Sequence, residues 1–231
     1  MAKFNLSILK NEDGNYKHLL YLLVVPVYLT VFFICEAVVK DDYYVTYLPI
    51  DDKIPFNEWF VIPYCLWYVY LVGIGLYLVF KDIPQFKKYM LCLGSSFLAA
   101  SFLFLFWHNG QDLRVNIDVP ANFAQAWVKS LYAADTNTNV CPSLHVVGCF
   151  VGAFAVFNCK KLNRPYIRIL TVISAAVISI STVFIKQHSI VDVIVAVPYS
   201  FIFYFAVYVI PKVIQKRNLH KKAHGADIQE K

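Results

Sequence analysis

Six long apolar runs constrain this chain more than any other feature. They are His18–Val39, Trp59–Phe80, Tyr89–Trp107, Pro142–Cys159, Tyr166–Ile185 and Ser189–Ile210, all rich in Leu, Val, Ile and Phe. Each is close to the ~20 residues that cross ~30 Å of hydrocarbon. Within 231 residues they leave little chain for a water-facing globule. The chain is 59% hydrophobic and 16% charged, with mean hydropathy +0.55, whereas soluble domains carry about 25% charge. The same numbers exclude a disordered body, which needs low hydrophobicity and many charges. None of the runs alternates with period two, so a membrane barrel is not indicated, and helices remain as the way to satisfy the backbone in lipid. Pro26, Pro63 and Pro198 lie near the ends of runs or within them, where a bundle tolerates a kink. The expected fold class is therefore all-α: a polytopic membrane protein with six transmembrane helices. A single membrane domain is expected over residues 1–211, with a basic tail over 212–231 that frays.

The first run has a basic lead-in (Lys3, Lys10, Lys17) but is too long for a signal peptide, and no small-residue cleavage site precedes Lys40. It reads as an anchor that stays. Counting Lys and Arg by loop puts sixteen of the 21 on one side, including Lys81, Lys87, Lys88, Lys160, Lys161, Arg164, Arg168 and the tail. Lys40, Lys53, Arg114, Lys129 and Lys186 are on the other. The positive-inside rule then makes both termini cytoplasmic and turns the more polar connections outward. The net charge of +6 is thus a topology signal, with the tail near anionic lipid, and no nucleic-acid partner is expected. The outer loop Lys40–Glu58 mixes acids with Tyr43, Tyr44, Tyr47 and Phe56, and reads as an interfacial segment lying on headgroups. Six cysteines without zinc or CxxC spacing read as small buried hydrophobes; Cys141 differs only in sitting beside a polar motif.

Ionisable groups near membrane depth are costly and so mark candidate sites. Arg114, Asp135, His145, Lys186, His188 and Asp192 come from three segments, all at outward helix ends. In Cys141-Pro142-Ser143-Leu144-His145, the preceding Asp135–Asn139 stretch is turn chemistry and Pro142 suits a first helical position. Ser143 and His145 would then share a helix N-terminus, whose free N–H groups bind anions; the bland alternative is a cap and an interfacial histidine. His188 and Asp192 are four apart, hence neighbours on one helix face. A carboxylate there fixes the imidazole tautomer, although a plain interhelical polar pair has the same spacing. A metal reading lacks a third and fourth ligand. Arg114 and Lys186 are cations in segments next to the histidines, suited either to a phosphate or, for Arg114, to a headgroup or to Asp112.

Pro142-Ser143-Leu144-His145 followed by Ser181-x6-His188-x3-Asp192 resembles the second and third signatures of the type-2 phosphatidic acid phosphatase superfamily, P-S-x-H and S-R-x5-H-x3-D. The resemblance covers roughly Trp59 to Ile210, and Leu131–His145 with Lys186-Gln187-His188 looks most like a bacterial branch. The chain departs from the family in two places. The first signature, K-x6-R-P, meets only Arg114 followed by Val115, with Trp107 at the lysine position, and the arginine of the third signature is Thr182.

The resemblance implies roles. His188 attacks phosphorus and forms a phosphohistidine, Asp192 orients its ring, and His145 protonates the leaving oxygen and then activates water. Arg114, Ser143, the backbone near Leu144 and, by inference, Lys186 hold the phosphoryl oxygens. No metal or other cofactor is required. The expected activity is a lipid phosphatase acting on phosphatidic acid, phosphatidylglycerol phosphate or a polyprenyl pyrophosphate, in a bacterial plasma membrane with the site facing out. The alternatives are a lipid phospho-headgroup transferase similar to sphingomyelin synthases, and a non-catalytic binder or transporter on the same scaffold.

Overall fold

The computed structural model describes residues 14–39 and 42–229, with side chains through Leu219. Lys3, Lys10, Lys40 and Lys231 of the charge count lie outside the described residues. Five helical segments are long and apolar enough to cross a membrane: Lys17–Val38, Glu58–Lys81, Ile83–Phe106, Pro165–Phe184 and Ile190–Leu219. The first is a turn of 3-10 helix, Lys17–Leu23, running into α1 (Val24–Val38). The second is the short turn Glu58–Phe60 running into α2 (Val61–Lys81). A hinge at Asp82 follows, whose side chain accepts the Gln85 N–H at 3.1 Å and so starts α3 (Ile83–Phe106). Leu20, Val69, Leu170 and Ile202 point outward and stay exposed, as expected where the solvent is lipid.

The run predicted at Pro142–Cys159 forms α5 (Leu144–Asn158), fifteen residues long. At 1.5 Å per residue this is roughly 22 Å, shorter than the hydrocarbon layer. α5 is the central helix, packed on α2, α3, α6 (Pro165–Phe184) and α7 (Ile190–Tyr204). Pro142 is not a first helical residue: Ser143 is still extended (ψ 115°) and is itself the N-cap. Gly148 lets α2 approach closely, since a Cβ there would lie 2.6 Å from Trp67 Nε1, and Gly152 does the same for Tyr70. Phe86, Tyr89, Phe97, Phe104, Val147 and Val151 fill the core around α5.

α7 continues through a π-turn, Phe205–Val209, into α8 (Ile210–Gln229). The backbone from Ile210 to Gln229 is therefore helical rather than frayed.

The outer connections hold more structure than the sequence suggests. β1 (Tyr44–Val45) pairs in parallel with β2 (Asn109–Gly110), and Gly110 bridges to Thr138. An amphipathic helix, α4 (Phe123–Ala134), is capped by Asn122, whose Oδ1 accepts the Gln125 N–H at 2.9 Å. It packs over the start of α2 through Ala124, Val128, Val61, Tyr64 and Ile185. The loop after α1 does not simply lie on headgroups, because Asp51 is fully buried beneath α7.

Candidate active site

His188 is placed by the way α6 ends. Lys186 has φ 55°, the left-handed position that closes a helix and is usually Gly. The Lys186 N–H donates to Val183 O at 3.1 Å and the Gln187 N–H to Thr182 O at 3.0 Å. The chain then turns at once into α7, whose N-cap Ser189 forms a capping box with Asp192. Asp192 Oδ2 accepts the Ser189 N–H at 3.0 Å and faces His188 Nδ1 at 3.3 Å. The carboxylate favours the tautomer protonated at Nδ1 and leaves Nε2 as the basic nitrogen.

His145 lies one residue inside α5, its ring stacked on Tyr64 (4.1 Å between centroids) and packed at a tilt on Trp67 (4.4 Å). The Ser143 N–H donates to Asp192 O at 3.2 Å, which ties the start of α5 to the start of α7. The two imidazoles consequently stand 6.2 Å apart, at 61° to one another. That separation is within reach of one tetrahedral group placed between them.

The buried polar atoms here are left short of partners. Ser143 Oγ, His145 Nε2, Asp192 Oδ1, Gln187 Nε2 and Asn139 Oδ1 make no hydrogen bond among the described residues. Ser143 caps α5 by position but not with its hydroxyl, and it is fully buried. Buried polar groups are otherwise almost always bonded, so Ser143 Oγ and His145 Nε2 at the α5 N-terminus, with Asp192 Oδ1 on the neighbouring α7 start, mark a place suited to a polar ligand.

The two cations are used differently from the phosphate-binding expectation. Arg114 has five N–H donors, and five bonds are made. Nε and Nη2 donate to Gln187 Oε1 at 3.0 and 2.6 Å, Nη1 to Tyr132 O at 3.1 Å and Asp135 O at 2.9 Å, and Nη2 to Thr136 O. Its guanidinium also lies over the Tyr132 ring, 4.7 Å from the centroid. Arg114 thus clamps the end of α4 to the loop carrying His188. Lys186 Nζ donates to Asp51 O at 2.7 Å, and burial holds its pKa below the usual lysine value. Thr182, at the position of the family arginine, is buried and donates to Ser179 O at 2.8 Å. Cys141 is a poor nucleophile, its thiol pushed up to about 12 by burial and by Asp192. No group of three or more His, Cys, Asp or Glu side chains fit for a metal occurs among the described residues.

Three residues not singled out from sequence hold the site together. Asp51 accepts the Ser189 hydroxyl at 2.6 Å, the Ile190 N–H at 2.9 Å and the Leu48 N–H at 2.8 Å. It therefore brackets His188 from both sides, since its carbonyl also holds Lys186. Asn109 Oδ1 accepts the N–H groups of Val140 and Cys141 at 2.9 and 2.8 Å, which aims the chain into Pro142. Glu36, in the last turn of α1, accepts from Asn139 Nδ2 at 2.6 Å and from both the N–H and the hydroxyl of Thr136. Next to it, the Asp135 carboxyl is pushed up to about 6 by burial and by Glu36, against the pull of Arg114 and His188. Only Asp135 among these acids was flagged by its sequence setting. No known protein family, curated protein or solved structure matches this chain.

Proposed function

We propose that the protein is a membrane lipid phosphatase of the type-2 phosphatidic acid phosphatase kind, working through a phosphohistidine. The observation that carries this reading is the His145–His188 pair, 6.2 Å apart, with Asp192 on one ring and unbonded polar atoms at the α5 N-terminus around it. His188 Nε2 attacks phosphorus as the bond to the lipid oxygen breaks, and His145 delivers the proton to that oxygen. In the second step His145 takes a proton from water, which attacks the phosphohistidine and frees both inorganic phosphate and His188. The N–H groups at the start of α5, at Leu144 and beyond, together with the Ser143 hydroxyl, stabilise the equatorial oxygens. The scheme involves no metal, so turnover survives EDTA.

The topology belongs to the same proposal. α5 counts as a sixth span, both termini are cytoplasmic and the site opens on the outer face, in keeping with the Lys and Arg distribution; the bacterial plasma membrane follows from the family resemblance.

A specific observation favours a second reading. With all five Arg114 donors committed to neutral carbonyl oxygens of the protein, none is left to bond directly to the oxygens of a dianionic monoester. A phosphodiester carries one charge fewer, which suits a headgroup transferase. The test is purified protein against phosphatidic acid, phosphatidylglycerol phosphate and polyprenyl pyrophosphate, scored for free phosphate with and without a lipid alcohol. Phosphate release without acceptor supports the phosphatase. Strict acceptor dependence supports the transferase, and no turnover in either arm overturns both.

A further inference from the structure

α1 and α2 each pack on α3, and the space between them is a groove of about 540 Å³. Its lining is hydrocarbon and aromatic rings along its whole length. At one end stands Trp67, whose indole packs on the His145 ring at 4.4 Å, tilted by 34°, and stacks on Phe97 at 6.1 Å. The groove and the histidine pair therefore share a wall. Leu19, Phe80 and Phe86 lie toward the other end. The stretch of α2 from Trp67 to Phe80 measures about 20 Å at 1.5 Å per residue. Leu22, Val25, Leu29, Val72 and Leu76, on its two sides, are each 40–59% exposed, so the groove opens sideways to the bilayer.

We propose that this groove binds one hydrocarbon chain of the lipid whose phosphate sits between His145 and His188, and that it sets the accepted chain length. The inference rests on the phosphotransfer reading of the histidine pair. Chemistry argues for a hydrocarbon chain rather than a headgroup, because the lining is apolar along its whole length. Position argues for the substrate rather than a bulk lipid, because Trp67 both lines the groove and packs on the His145 ring. A second groove of about 520 Å³ lies between α5, α6 and α7 and includes Ser179 and Asn158. Among the described residues, none of its rings stacks on either histidine.

Two measurements test the proposal. The first places a phosphatidic acid with a diazirine near the end of one chain in nanodiscs with the wild-type protein, then maps the crosslinks. Labels concentrated on Val25, Leu29, Val72 and Leu76 support it. Labels spread over outward α6 residues such as Ile169 and Ile173, or gathered on Ala175 and Ala176 of the second groove, overturn it. The second compares rates on six-carbon and sixteen-carbon phosphatidic acids in Gly75→Leu, and in Leu29→Trp from the opposite wall. The long-to-short rate ratio should fall about tenfold or more, since excluding even two methylenes from apolar burial has that effect. An unchanged ratio in both variants overturns the proposal. Groove labelling in a protein that turns over neither substrate would uphold the groove while refuting the phosphotransfer reading.

Discussion

Arg114→Lys separates two roles that the sequence cannot tell apart. A phosphate-binding arginine and a structural clamp both place a cation beside the histidines. In the structure Arg114 satisfies four acceptor atoms, Gln187 Oε1 and the carbonyls of Tyr132, Asp135 and Thr136, through five bonds. Lysine keeps the charge but has three donors and no planar fork. At least two bonds are lost, each worth about 1.5 kcal/mol when the donor is charged. That amounts to about 3 kcal/mol, or roughly a 10 °C drop in Tm for a chain of this size. Thermal unfolding in nanodiscs, read by intrinsic tryptophan fluorescence, measures it directly. Because the clamp positions the loop carrying His188, kcat should fall while KM stays within about twofold. A Tm within about 2 °C of wild type, with KM raised tenfold, would refute the clamp and restore Arg114 as a phosphate ligand.

Three further outcomes follow from the geometry. Ser143→Ala removes a buried hydroxyl that bonds to nothing among the described residues, so Tm should not fall. kcat/KM should drop about tenfold to a hundredfold if that hydroxyl meets a phosphoryl oxygen, as steady-state kinetics will show. Asp51→Asn leaves one oxygen for three donors from Ser189, Ile190 and Leu48; the displaced α7 start should cost kcat up to about a hundredfold, with KM little changed. For Asp135, burial raises the carboxyl to about 6, so the folded state holds its proton more tightly than the unfolded chain does. Stability from this group is complete below about pH 4 and declines up to about pH 6. Asp135→Asn should accordingly raise Tm at pH 7.5, leave it unchanged at pH 4, and flatten the profile between.

The membrane helices were legible because lipid imposes a length: α2 and α6 begin and end within two residues of the apolar runs, whereas α3 starts six residues before Tyr89 and α7 gives way at Tyr204 to a π-helical turn. α5 was legible as apolar but not as short, since a helix surrounded by protein need not match the bilayer. α4 escaped notice because its twelve residues alternate polar and apolar around a helix in a segment otherwise rich in loop residues. The histidine pair was legible from local spacing, with His188 and Asp192 four apart and Ser143 and His145 two apart. Asp51 was not, because its partners lie 138 and 139 residues away and no local pattern announces them. Arg114 and Lys186 were visible as cations, but their acceptors are mostly backbone carbonyls, which leave no mark in a sequence.

The central claim is that His188 becomes covalently phosphorylated while His145 handles protons. Rapid-quench digestion and mass spectrometry, at alkaline pH where phosphohistidine survives, test it most directly. Wild-type protein mixed with phosphatidic acid should carry phosphate on His188. The signal should vanish in His188→Ala and persist in His145→Ala with an activated leaving group that needs no proton, even though turnover there falls about 10²–10⁴-fold. Turnover without any phosphohistidine, or a phosphorylated protein after His188→Ala, would contradict the account.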